Sequence, residues 1–466
     1  MDKKLRNGIV VILISNMVNM IFSLLTNFLM PKYLSVNSYA EIKTFQLYIS
    51  YIGLLHFGYV DGIYLRYGGK QIKKCLSSSF VTNLSTMRIL EIVISISFGL
   101  FAIIKHDWIL GLFCVSIFPQ NVSNYYKFLF QATGEFNIYG NILNITTFIT
   151  FILNMILLFS VQTDKAFVYI LLTVVLYYAI WFFLEIWFRN KYEFERGKLF
   201  SFSELKISIR DGFLLMLGNL ASVFLTSMDR WFVKALLTTI DFALYSFAVS
   251  IENFMNLAIT PVTTTLYNYF CRERNVEKHK NIYRYILVFA CFLPSLAFPV
   301  KFILEIFLKK YLQATNVIFL LFAAQIFYII IKSIYVNLYK VNRKQKTYFM
   351  KLVIILLLGG AFNVICYKIL KNKEAFAYGT LFSAIIWFII TTYDFKYLQI
   401  RKKEFCYIFI QLFIFLFLGF RLEAVEGFLM YILISMLLPF VFMPTVAQKL
   451  YNDAKRYFSK VVGGKA

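Results

Sequence analysis

The sequence holds 466 residues, of which 60% are apolar and only 15% charged, with a formal net charge of +24 and a mean hydropathy of +0.69. A soluble chain covers its surface with roughly a quarter charged residues, so soluble multi-domain folding is excluded. The basic excess needs no nucleic acid, because Lys and Arg gather in short clusters between apolar blocks, as they do in the cytoplasmic loops of membrane proteins.

The apolar blocks are continuous rather than alternating, which excludes barrel strands and leaves helices to satisfy the backbone in lipid. In chain order they predict spans over 8–30, 39–65, 79–104, 108–130, 138–160, 166–188 and 211–236. The series continues over 242–268, 283–308, 312–339, 348–370, 375–395, 405–420 and 427–446. Most blocks are long enough to cross about 30 Å of hydrocarbon at 1.5 Å per residue. The first follows Lys3, Lys4 and Arg6 and is too long for a signal-peptide core, which predicts a retained helix. The second, with Glu41, Lys43 and Gln46, is the least hydrophobic. Loops are short throughout, and six cysteines without CxxC spacing read as small hydrophobes or free thiols.

Charge tests the count. With the N-terminus inside, the inner segments carry 33 Lys and Arg and the outer loops 11, with Lys43 assigned to the outer set. Missing one central span would destroy this alternation, so both termini are expected in the cytoplasm. The halves also echo each other. Asn7-Gly8 opens the first span and Asp211-Gly212 the seventh, while Tyr39-Ala40 and Phe242-Ala243 enter the second and eighth. Six spans per half return the chain to the same side, as parallel repeats require. The expected organisation is a six-helix lobe over 1–200, a second over 201–400, and two additional helices with a cytoplasmic tail over 401–466.

Three stretches carry a family likeness. They are His56-Phe57-Gly58-Tyr59-Val60-Asp61-Gly62 leading to Arg66-Tyr67-Gly68-Gly69, then Gln131-Ala132-Thr133-Gly134, then Met228-Asp229-Arg230-Trp231-Phe232-Val233 followed by Tyr245-Ser246-Phe247-Ala248. With these, most of the chain resembles the Wzx-type polysaccharide flippases, in the superfamily that includes multidrug-and-toxin extruders and lipid II flippases. The resemblance implies an all-α polytopic membrane protein of about 14 transmembrane helices, with two six-helix lobes around a central cleft and an extra C-terminal pair. It implies that undecaprenyl-diphosphate-linked oligosaccharide, an O-antigen or capsule repeat unit, passes from the cytoplasmic to the outer leaflet of a bacterial inner membrane by alternating access. It further implies membrane lipids, a polysaccharide polymerase and a chain-length regulator as partners. No cofactor is implied, and coupling to a proton or sodium gradient stays open.

Such a cargo demands a polar, partly cationic cleft, and ionisable residues within spans are the first candidates to line it. Arg88 and Glu91 stand at i and i+3 on the third span, roughly 13–18 Å from its inner end by helix rise; they can equally pair with each other. Glu252 lies near the middle of the eighth span. Asp229 and Arg230 lie in the outer third of the seventh, as substrate ligands or as an anchor beside Trp231. Asp61 and Arg66 mark the inner end of the second. Two polar stripes, Asn16, Asn19, Ser23 and Asn27 on the first span and Asn219, Ser222, Thr226 and Arg230 on the seventh, serve either as cavity walls or as hydrogen-bonded helix contacts. Lys332 is expected to snorkel toward the inner interface, and Lys301 with Glu305 to form a structural pair.

Two other functions compete. A cation-coupled multidrug exporter on the same scaffold would use an acidic cavity, for which Asp229, Glu91 and Glu252 are available. A membrane polymerase or glycosyltransferase would need a catalytic constellation. The sequence shows no DxD, no HExxH, no large outer loop and only three scattered histidines, so an enzyme is disfavoured and no metal site is expected.

Overall fold

The structure is a computed structural model that describes residues 21–68, 70–72, 76–193, 196–273, 275–398 and 401–452. It contains helices and turns, with no strand among the described residues. Ten stretches of these residues are long and apolar enough to cross a membrane. The chain is an all-α, multi-pass membrane protein.

Every predicted span that falls on described residues is built from helix, several of them with a break. The first helix, α1, is described over 21–33, so most of the predicted span 8–30 lies outside the described residues. The second span is broken into α2 (Val36–Ile49) and α3 (Tyr59–Tyr67). Then follow α4 (Ser78–Lys105), α5 (Trp108–Ala132), α6 (Phe136–Met155), α7 (Ala166–Lys191) and the 35-residue α8 (Phe202–Leu236). The eighth span is again two helices, α9 (Thr239–Glu252) and α10 (Met255–Arg272). The ninth is α11 (Val276–Phe292) with α12 (Ala297–Phe307), divided at Pro294. The tenth is α13 (Thr315–Ile330), a π-helical turn at Ile331–Tyr335 and α14 (Val336–Val341). The chain ends its described part with α15 (Gln345–Leu370), α16 (Glu374–Asp394), α17 (Lys402–Arg421) and α18 (Ala424–Phe442).

The internal echo is visible in local structure. Helices α2 and α9 are both 14 residues long. Each is opened by a hydroxyl N-cap, Ser35 accepting from the Ser38 amide and Thr238 from the Asp241 amide, which satisfies an otherwise orphan donor of the first turn. Each ends in a break at the corresponding point, after Ile49 and after Glu252. The least hydrophobic part of the second span, with Glu41, Lys43 and Gln46, lies within α2, and the chain leaves the regular ladder only after it, between Ser50 and Gly58.

The chain divides into two compact units, Met1–Ser227 and Met228–Ala466, with the boundary inside α8. In the N-terminal unit, α5 is the hub, packing against α2, α3, α4, α6 and α7. Its buried face includes Ser116, Asn121 and Ser123. Helix α3 approaches the first half of α8 so closely that a Cβ on Gly62 would lie 2.0 Å from the Ser208 carbonyl oxygen. A Cβ on Gly212 would lie 2.0 Å from the Gly58 oxygen; Gly58 itself has a φ of +83°, the left-handed region that favours glycine.

In the C-terminal unit the hub is α13, against which α9, α11, α16 and α17 pack; every residue from Val317 to Ile330 is buried. The last pair is part of this unit. Arg284 of α11 donates to the buried Glu404 of α17 at 2.7 Å, and Phe298 of α12 packs edge-on against Phe415 of α17. Lys301 donates to the carbonyls of Gly419 and Leu422 at 3.1 and 2.6 Å. It caps the end of α17 instead of pairing with Glu305, because the terminal carbonyls of a helix carry partial negative charge and no internal donor.

Candidate functional site

The C-terminal unit gathers four intramembrane charges around the break between α9 and α10. Asp229 of α8 is buried, and its Oδ2 accepts from the Tyr245 hydroxyl of α9 at 2.7 Å and from Thr380 of α16 at 3.4 Å. Its Oδ1 accepts from the Arg230 amide at 2.7 Å. The Arg230 guanidinium keeps its Nε buried and without a hydrogen-bond partner. Glu252, the last residue of α9, accepts from Gln325 of α13. It also lies in electrostatic reach of Asp229, Arg230 and Lys332.

Lys332 does not snorkel to an interface. It sits in the π-helical turn of the tenth span, donates to Asn256 Oδ1 at 3.1 Å and lies 5.7 Å from the Tyr328 ring centre. The π turn and the α9–α10 break place two irregular backbone segments side by side, since α10 packs against the π turn. Such insertions interrupt the i→i−4 ladder and recur at functional positions. The cluster balances two acids against two bases, yet the acids are engaged by hydroxyl and amide donors. The Arg230 Nε is the donor left over.

In the N-terminal unit the predicted residues separate into distinct groups. Asp61 is buried on α3 and accepts from Asn219 Nδ2 of α8 at 3.1 Å. The buried His56 accepts the Gly58 amide at Nδ1, which leaves Nε2 to carry the ring proton, 4.0 Å from Asp61 Oδ2. Arg66 is a staple: Nη1 donates to Glu204 at the start of α8 at 2.7 Å, and Ser79 of α4 donates to the same carboxylate at 3.1 Å.

Arg88 and Glu91 do not pair. Arg88 Nη2 donates to both oxygens of Glu185 on α7, at 2.5 and 2.6 Å, and Glu185 also receives the Tyr126 hydroxyl at 2.6 Å and Arg189 Nε at 2.7 Å. Glu91 turns instead to Asn121 of α5, which donates to it at 2.7 Å. Residues at i and i+3 lie near each other, but a second acid on a facing helix offers Arg88 both carboxylate oxygens. Glu185 was findable as an acid one helical turn before Arg189 within an apolar block.

The stripes are also partly placed. Asn16 and Asn19 lie outside the described residues. Asn27 donates to the Ser23 carbonyl at 2.9 Å and accepts from Lys43 Nζ at 3.0 Å. Lys43 is therefore a buried cation within α2, held also by Gln46 and set against the Tyr39 ring, rather than an outer-loop lysine. On α8, Asn219, Ser222 and Thr226 are all exposed, and Thr226 also bonds back to its own helix. Among the described residues no three of His, Cys, Asp or Glu converge on a metal-holding group.

No family model matches the sequence, and no curated protein is similar to it. Solved structures share its fold. A structure titled lipid II flippase MurJ, inward closed conformation, superposes with a TM-score of 0.65 at 14% identity, covering 95% of this chain and all of that one. An inward-facing multidrug resistance MATE family transporter of the MOP superfamily gives a TM-score of 0.53 at 14% identity, covering 82% of this chain and 95% of that one. At these identities the likeness is one of fold.

Proposed function

We propose that this chain is a flippase that carries undecaprenyl-diphosphate-linked oligosaccharide repeat units from the cytoplasmic to the outer leaflet of a bacterial inner membrane, by alternating access between its two lobes. The observation that carries the reading is the row on α8 running from exposed Asn219, Ser222 and Thr226 to Arg230, whose Nε is buried and unmet. Exposed amide and hydroxyl groups inside a membrane span are costly against hydrocarbon and suit a water-filled path. A guanidinium with an unspent donor suits a diphosphate, which it recognises by charge-assisted hydrogen bonds. Lys332, bonded to a neutral amide, set against an aromatic face and in electrostatic reach of Glu252, is a second cation suited to the same group.

The shared fold with a protein titled as a lipid II flippase supports a lipid-linked cargo. In this reading the N- and C-termini are cytoplasmic, and a polysaccharide polymerase and chain-length regulator act downstream on the delivered units. The direct test is reconstitution in liposomes containing undecaprenyl-diphosphate-linked oligosaccharide, following its exposure to a membrane-impermeant sugar-modifying probe. Protein-dependent transfer is expected, and transfer no faster than in empty liposomes rejects the function.

A second reading, cation-coupled multidrug export, is favoured by the buried acids Asp229 and Glu91. It predicts ion-driven efflux of organic cations from the same liposomes and no movement of the lipid-linked sugar.

A further inference from the structure

One acid stands apart from the proposed substrate path. Glu91 has no exposed surface, and while its Oε2 accepts from Asn121 Nδ2 at 2.7 Å, its Oε1 has no hydrogen-bond partner. Asn121 is equally buried, and its Oδ1 is also without a partner. The same Nδ2 donates at 3.3 Å to the carbonyl of Ile52, the first residue of the short 3-10 turn inside the α2–α3 break. Two joined side chains thus each hold an orphan acceptor, beside backbone that has left the helical ladder.

An ionised carboxylate and an amide oxygen can only accept. The charged and titratable groups on the surrounding elements are committed elsewhere or not bonded to Glu91. Arg88 on the same helix binds Glu185 of α7, which also holds Arg189 and the Tyr126 hydroxyl. On α5 the Tyr125 hydroxyl is buried without a partner, and Lys127 lies about 9 Å beyond Asn121 by helix rise. Across the break, Asp61 is bonded to Asn219, His56 to Gly58, and Arg66 to Glu204. A buried carboxyl with no cation takes up a proton rather than remain charged. The proton turns Oε1 into a donor, and Asn121 Oδ1 supplies an acceptor on the side chain already bonded to it.

We infer that Glu91 is a proton-binding site of the N-terminal unit, carrying its proton on Oε1, and that Asn121 links its occupancy to the α2–α3 break through the Ile52 carbonyl. Loss of the proton makes Glu91 the stronger acceptor for Nδ2, which weakens the bond to Ile52 and releases that carbonyl. The site is assigned whatever the cargo, and it stands or falls separately from the flippase reading.

The test is infrared spectroscopy of the full-length protein at neutral pH. The wild type is expected to show a protonated-carboxyl stretch that Glu91→Gln lacks and that Asn121→Ala shifts without removing. Hydrogen exchange over residues 50–58, corrected for intrinsic rates, is expected to rise several-fold with pH in the wild type and to stay flat in Glu91→Gln. If Glu91→Gln does not accumulate, the frequency shift in Asn121→Ala reports the same carboxyl. Identical carboxyl bands in wild type and both variants overturn the assignment. So does a band abolished by sodium chloride at constant pH, which would give the site to a metal ion instead.

Discussion

Arg88 Nη2 bonds both carboxylate oxygens of Glu185 on α7, at 2.5 and 2.6 Å, and leaves Glu91 on its own helix to Asn121. This makes Arg88 a structural residue of the N-terminal unit rather than a free cation facing a substrate. Removing it strips Glu185 of one of two cations while Arg189 and Tyr126 remain. Arg88→Ala is therefore expected to cost up to about 3 kcal/mol in stability, less than a buried acid left wholly unpaired. Thermal melting of the purified variant measures it. Replacing both partners with apolar residues, Arg88→Met with Glu185→Leu, should recover much of the loss, since no buried charge is then stranded. An Arg88→Ala protein that melts like the wild type contradicts the structural role.

The element count was legible because apolar block length and charge alternation both report a single physical fact, the insolubility of charge and free backbone in hydrocarbon. The break in the second span left no such trace, because Glu41, Lys43 and Gln46 lie within the unbroken α2 and the break itself, over 50–58, is largely apolar. What was not legible is partner choice. Arg88 has one acid on its own helix and another 97 residues away, and only the packing of α4 on α5 and α7 decides between them. Lys43 looked like a loop lysine because a sequence cannot show that Asn27 and Gln46 fold over it. Lys332 looked like an interfacial lysine because a π turn leaves no compositional mark.

Arg230 and Lys332 are the two cations of the C-terminal cluster, and neither forms a salt bridge among the described residues. Their loss removes electrostatic balance from Asp229 and Glu252 but no direct side-chain bond to either, so it should harm the transfer more than the fold. Arg230→Gln and Lys332→Met are each expected to keep the melting temperature within a few degrees and to slow sugar-lipid transfer in liposomes by roughly tenfold or more, the effect of about 1.4 kcal/mol in a barrier. Normal transfer rates in both variants would remove this cluster from the substrate path, wherever the cargo binds.

The α3–α8 crossing has no room for a methyl group. A Cβ on Gly212 meets the Gly58 oxygen at 2.0 Å and the Gly62 nitrogen at 2.2 Å, both backbone atoms that cannot rotate away. Gly212→Ala must therefore push the two helices apart and is expected to destabilise the N-terminal unit by about 1–3 kcal/mol, the usual cost of overpacking. Gly218, on the same helix with nothing within 4 Å of its Cβ position, is the control. Gly218→Ala should be neutral or slightly stabilising, because alanine is the better helix former. Equal melting temperatures for the two alanine variants would refute the close crossing.

The matching caps of α2 and α9 make a quantitative forecast that neither helix makes alone. Ser35 caps α2 through a 3.2 Å bond from the Ser38 amide, and Thr238 caps α9 through a 3.2 Å bond from the Asp241 amide. Each cap is one side-chain acceptor serving one orphan amide, so Ser35→Ala and Thr238→Ala should each cost about 1 kcal/mol, and the glycine variants only a few tenths. The two caps are not otherwise identical. Each cap hydroxyl also donates, Ser35 to the Ser38 hydroxyl at 3.0 Å and Thr238 to the Asp241 carboxylate at 2.7 Å, and the Ser35 amide is itself held by Asp164 at 2.7 Å. Each alanine variant therefore loses two side-chain bonds, but the one that Thr238 gives up goes to a carboxylate and is the stronger, while Ser35→Ala keeps its backbone anchor, which puts the larger loss in α9. Melting temperatures of the four single variants decide it, and a larger shift for Ser35→Ala would mean that the two capped helices are not energetic counterparts.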